Sequence, residues 1–73
     1  MEKTYKVTEN DISEFKDKLI QNGGSLDGKH FDIKGITGTV SYSDGIMKII
    51  IKDKPWLVSW GTISDKLDEY INK

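Results

Sequence analysis

Asp44-Gly45 sits in the middle of an apolar alternation that runs from Ile36 to Lys52, ITGTVSYSDGIMKIIIK, and this stretch constrains the fold most. An Asp-Gly pair between two alternating runs specifies a two-residue β-hairpin, because a type I′ turn requires positive φ at both central positions. Counting outward from that turn places Tyr42 opposite Met47, Val40 opposite Ile49 and Gly38 opposite Ile51, with Ile36 in line. The alternate face then carries Ser43 with Ile46, Ser41 with Lys48, Thr39 with Ile50 and Thr37 with Lys52. Nearly every large apolar side chain falls on one face. A slip by one residue would send that set to solvent, so the register is strongly specified.

The flanking segments read as cover for the apolar face. Lys3 to Val7 alternates and predicts a short strand with Tyr5 and Val7 on one side; the pattern does not say which sheet edge it joins. Ile12, Phe15, Leu19 and Ile20 fall at helical spacing, with Thr8 or Asn10 as a start signal and Gly23-Gly24 as a stop. This predicts a helix over 11–22. Asp27-Gly28 is a second turn signal, and Phe31 and Ile33 alternate with His30, Asp32 and Lys34 to predict a strand. A tight turn at Lys34-Gly35 then sets Ile33 against Ile36 and Phe31 against Gly38, in agreement with the first hairpin count. Pro55 stops the last strand because it has no amide hydrogen to donate. Ile63, Leu67, Tyr70 and Ile71 form the stripe of a final helix, with Thr62 to Asp65 as a capping box and Ser59 as a competing cap. The fold class is therefore α+β: a two-layer sandwich of order β-α-β-β-β-α, with a mostly antiparallel sheet and both helices on one face. Its 73 residues make a single domain, 1–73, with a small core and a thin stability margin.

Composition narrows the chemistry. The absence of cysteine removes disulfides, thiol catalysis and cysteine-ligated zinc. With 11 basic and 12 acidic residues, net charge −1, the chain lacks the positive field that non-specific nucleic-acid binding rests on. No apolar run reaches the roughly 18 residues of a membrane span, and the charged start MEKTYKV does not resemble a signal peptide. These features predict a cytoplasmic protein. His30, the single histidine, alternates to the polar side of its strand and reads as a surface residue. The acidic groups Glu9, Asp11, Glu14 and Asp65, Asp68, Glu69 lie where helix dipole and solubility account for them. Gly35 and Gly38 make a turn and a packing contact, not a phosphate cradle. The sequence thus predicts no catalytic, cofactor-binding or metal-ligating residues, and a protein that is not an enzyme.

Two features point to binding. Pro55, Trp56, Leu57, Val58 and Trp60 are too apolar for a plain solvated loop, and tryptophan is enriched at binding hot spots. Stepping back one turn from Ile63 reaches Trp60, so Trp60 is expected in the core and Trp56 at the surface. Ile46 and Ile50 fall on the outer face of the sheet, where an uncovered apolar pair invites weak self-association as a homodimer. The residues expected to contact a partner are therefore Trp56, Pro55, Leu57, Ile46 and Ile50. The alternative is a nucleic-acid or anionic-ligand patch built from Lys29, Lys34, Lys48 and Lys52.

Phe31, Gly35, Gly38, Val40 and Tyr42 also follow the form F-x-x-x-G-x-x-G-x-apolar-x-apolar, continued by Ile49, Ile51, Leu57 and Ile63. From Lys29 to Ile71 the chain resembles the small polyhydroxyalkanoic acid system proteins. That resemblance implies a bacterial cytoplasmic domain without known catalysis, associated with storage-polymer metabolism. The combined expectation is a non-catalytic interaction module that binds a protein partner or the surface of a hydrophobic granule and needs no cofactor.

Overall fold

The computed structural model describes residues 1–71 and is α+β. Seven elements follow one another: β1 (Glu2–Lys6), α1 (Glu9–Gln21), β2 (Ser25–Asp27), β3 (His30–Ile33), β4 (Ile36–Ser43), β5 (Ile46–Asp53) and α2 (Trp60–Ile71). The strands form one antiparallel sheet in the order β1-β5-β4-β3-β2. Helix α1 leaves β1 at one edge and delivers the chain to β2 at the other. Its length suits that task. Thirteen residues rise about 20 Å, and four interstrand spacings cover about 19 Å.

The central hairpin follows from turn chemistry. Asp44 and Gly45 have φ of 54° and 77°, and Lys34 and Gly35 have 51° and 82°, so both turns have the positive φ pair of type I′. Tyr42↔Met47, Val40↔Ile49, Gly38↔Ile51, Ile33↔Ile36 and Phe31↔Gly38 are paired as the two counts require. The register changes only at the far end. Thr37 pairs with Asp53, not with Lys52, because a bulge between Thr37 and Gly38 leaves Lys52 without an opposite residue. Gly38 lies where the strands crowd. A Cβ there would overlap the Ile50 carbonyl oxygen and come within 3.0 Å of two Phe31 ring atoms.

Strand β2 has no counterpart in the sequence reading. It is three residues long with one apolar side chain, Leu26, which is too little for an alternation to register. Its partner is β3, through a two-residue turn in which Gly28 alone has positive φ (61°), the type II′ pattern. Strand β1 joins the β5 edge, Tyr5 opposite Met47, and the Val7 amide extends the ladder by donating to the Gly45 carbonyl at 2.8 Å.

Helix α1 begins two residues before the predicted start. Thr8 accepts from the Asp11 amide through Oγ1 at 3.2 Å, and the Asp11 carboxylate accepts from the Thr8 amide at 3.0 Å. This reciprocal box satisfies two amides that the first turn would leave unpaired. In α2 the competing cap prevails. Ser59 Oγ accepts from the Thr62 amide at 3.1 Å and the Ser59 carbonyl from Ile63 at 3.2 Å, so Thr62 lies inside the helix.

One apolar cluster joins the layers: Tyr5 and Val7 near β1, Phe15 and Leu19 of α1, Phe31 and Ile33 of β3, Met47, Ile49 and Ile51 of β5, and Ile63, Leu67 and Ile71 of α2. Ile20 and Tyr42, expected there, are not part of it. Ile20 is 53% exposed, since it stands about 100° around the helix from its buried neighbour Leu19. Tyr42 is 48% exposed. Strand β3 ends its pairing with β4 at His30↔Thr39, so beyond Ser41 the β4 strand has a neighbour on one side only.

Candidate interaction site

The candidate site follows from the way β5 is made to stop. After Asp53 the chain meets Pro55, which cannot extend the ladder. The Val58 amide then donates to the Pro55 carbonyl at 3.0 Å and closes a turn with Trp56 and Leu57 at its two central positions. Both ends of this turn are anchored. On one side the β3–β4 turn rests against Pro55; a Cβ on Gly35 would lie 3.1 Å from Pro55 Cγ. On the other side Ser59 caps α2, and half-buried Val58 packs on the core. The tip is left outside: Trp56 is 85% and Leu57 78% exposed, the two most exposed large apolar residues among those described.

Trp60 departs from expectation. It is 44% exposed and is not part of the core cluster. Val58 takes the core position at this end, and Trp60, the first residue of α2, keeps one ring face against Lys54, whose Nζ is 5.2 Å from the ring centroid. Lys54 is itself tethered, donating through Nζ to the Pro55 carbonyl at 3.4 Å. Trp60→Ala should therefore cost about 1 kcal/mol, the scale of an exposed cation–π contact plus partial burial, which a urea titration can check. The 3 to 5 kcal/mol of a fully buried aromatic is not expected there.

The remaining expected contact residues lie apart from the loop. Ile46, at the opposite end of β5 from Pro55, is 39% exposed. Ile50 is half-buried, between Thr39 of β4 and Glu2 of β1. The structure brings Pro55, Trp56 and Leu57 together and leaves Ile46 and Ile50 on the sheet. The lysines of the alternative patch are also divided. Lys29 and Lys34 stand at opposite ends of β3, while Lys48 and Lys52 share the outer face with the exposed carboxylates Glu2 and Asp32. No field of one sign results.

One polar constellation escaped the sequence reading. Lys3 Nζ donates to Ser64 Oγ and to Asp68 Oδ1, each at 2.7 Å, and the Tyr5 hydroxyl donates to the same Asp68 oxygen at 2.7 Å. These bonds tie β1 to α2 across more than 60 positions of sequence, so no local spacing could signal them. The bond to Asp68 raises the Lys3 pKa above its ordinary value, and burial, followed by the bond to Asp68, raises that of Tyr5. The bonds from Lys3 and Tyr5 lower that of Asp68. A lysine held this firmly in its charged form is a poor general base for Ser64, and the cluster is read as a strap.

The signs give a pH prediction. The stability from Asp68 is complete above its ordinary carboxylate pKa and is lost as pH falls through the lower folded value, below about pH 4. Lys3 and Tyr5 contribute in the opposite sense: their stability is complete below their ordinary pKa values and is lost as pH rises through the higher folded ones. Asp68→Asn should lower the thermal midpoint at neutral pH and flatten its decline in acid; melting curves against pH measure both. Among the described residues no group of three or more histidine, aspartate or glutamate side chains is placed to hold a metal ion. No helix among those residues is long and apolar enough to cross a membrane.

Comparison of the chain with protein-family models, with curated proteins and with solved structures found no match.

Proposed function

We propose that this chain is a non-catalytic interaction module that engages an apolar surface through the Pro55–Leu57 turn. The observation that carries the reading is the presentation of Trp56 and Leu57, 85% and 78% exposed, on a turn anchored at both ends. Burying such side chains contributes about 1.5 to 3 kcal/mol each. An anchored loop also loses little conformational freedom on binding. A groove on a protein partner suits this shape best, and a hydrophobic granule surface is the other occupant, the one implied by the resemblance to the polyhydroxyalkanoic acid system family. Ile46 and Ile50 supply a separate, weaker surface for a homodimer, which sedimentation of the wild type against Ile50→Lys would detect.

The test is affinity capture from the native cell, with mass spectrometry of the captured proteins and a parallel assay on isolated granules. Trp56→Ser combined with Leu57→Ser should leave the melting temperature within a few degrees and reduce capture at least tenfold, the scale of a hot-spot loss. Equal capture by wild type and double variant would overturn the reading. Binding to an oligonucleotide that weakens steeply with salt would favour the alternative through Lys29, Lys34, Lys48 and Lys52.

A further inference from the structure

A second feature lies between the helices and the sheet. The buried side chains Phe15, Leu19, Phe31, Ile51 and Leu67 wall a cavity of about 230 Å³. It is open to solvent, because the exposed residues Asn22, Lys34, Thr62 and Lys66 belong to the same wall. For a domain with so small a core this is a large opening, and an aliphatic chain seated in it would take the apolar wall out of water. An apolar cavity of about 150 Å³ accepts benzene, so this one has room for an aliphatic chain of about nine carbons. The wall is also asymmetric in charge. Among the described residues it contains two lysines and no carboxylate, in a chain whose acidic residues outnumber its basic ones by 12 to 11. Among the described residues the acid paired with these lysines is Glu69, 3.5 Å from Lys66 and 66% exposed, which holds that lysine only loosely.

We infer that the cavity is a binding site for a free alkyl carboxylate of about eight to ten carbons, its chain among Phe15, Leu19, Phe31, Ile51 and Leu67 and its carboxylate between Lys34 and Lys66. An alcohol of the same length would fill the cavity and leave the lysines without a partner. An alkylammonium would bring a third cation to the mouth. The site adjoins the Trp56–Leu57 turn through Val58, which belongs to its wall, but does not rest on the binding role proposed for that turn.

The experiment is titration of the full chain with sodium decanoate, followed by methyl NMR and thermal melting. Saturable shifts are expected at the Ile33, Ile51 and Leu67 methyls, with a rise in melting temperature of about 5 to 10 °C at ten times Kd. Decan-1-ol should bind several-fold more weakly, and decyltrimethylammonium should give no saturable shift. Lys34→Gln with Lys66→Gln should weaken decanoate five- to tenfold, to the level of the alcohol, and Glu69→Gln should strengthen it. The Trp56→Ser, Leu57→Ser double variant should bind decanoate as the wild type does. Ile36→Phe, filling the cavity from a half-buried position, should block binding; if it does not fold, Val58→Leu makes a smaller filling with a partial loss. Absence of saturable shifts, shifts centred on Leu57 and Trp56, or equal affinity for all three amphiphiles would overturn the assignment. So would phosphatidylglycerol vesicles shifting the same methyls, which would make the chain that of a lipid.

Discussion

Gly38→Val should abolish cooperative folding. The site is closed on two sides at once. A Cβ would overlap the Ile50 carbonyl oxygen, and the Phe31 ring, 4% exposed, lies 3.0 Å from the same point. The ring could tilt away if the surrounding core gave way. The carbonyl cannot, because it belongs to the β4–β5 ladder that holds the sheet together. Overpacking alone costs about 1 to 3 kcal/mol, and a domain of this size has little stability to lose. Gly38→Ala adds the same Cβ against the same carbonyl and should itself cost at least about 3 kcal/mol, the upper end of overpacking, as urea denaturation would show. For the valine variant, circular dichroism and amide dispersion in NMR should show an unfolded chain. A melt unchanged within error would mean that Gly38 does not face Phe31 and Ile50 at this distance.

Ile49→Ala should have the second largest effect, about 2 to 5 kcal/mol. Ile49 is fully buried at 0% exposure and lies on the central pair of strands, opposite Val40 on one side and Lys3 on the other. Sheet neighbours on both sides limit how far the structure can close over the void. Ile20→Ala provides the internal comparison. The same atoms leave a side chain that is 53% exposed, and the cost should stay within about 0.5 kcal/mol. Parallel denaturation curves decide the pair. A large loss at Ile20 would require α1 to be rotated so that Ile20 faces the core.

The contrast between Ile49 and Ile20 shows where the sequence is a sufficient guide. Ile49 lies five residues from Asp44 on the arm of a type I′ turn, and once the turn is known, alternation alone gives its face. Ile20 belongs to a helical stripe in which Leu19 and Ile20 are adjacent, and one of the two must turn away. The sequence offers no reason to prefer either, and the layer that α1 covers makes the choice. Strand β2 was illegible for a different reason. A three-residue strand with one apolar side chain carries almost no periodic signal, and it is recognised by its pairing to β3.

At the candidate site the division is similar. That Pro55 ends β5 and that Trp56 stands outside the core were both readable from the residues, since a proline cannot pair and a small core cannot take four large apolar side chains within five positions. That Val58 would displace Trp60 from the core was not readable, because it depends on the Ser59 cap starting α2 one turn earlier than Thr62 would. Local chemistry, a positive-φ turn pair and a period of two, by itself determined the β3–β4 and β4–β5 hairpins and the face their residues take. The tertiary structure alone decided the Lys3–Asp68 strap, the exposure of Trp60 and the cavity at Lys34 and Lys66, because each depends on contacts between segments far apart in the chain.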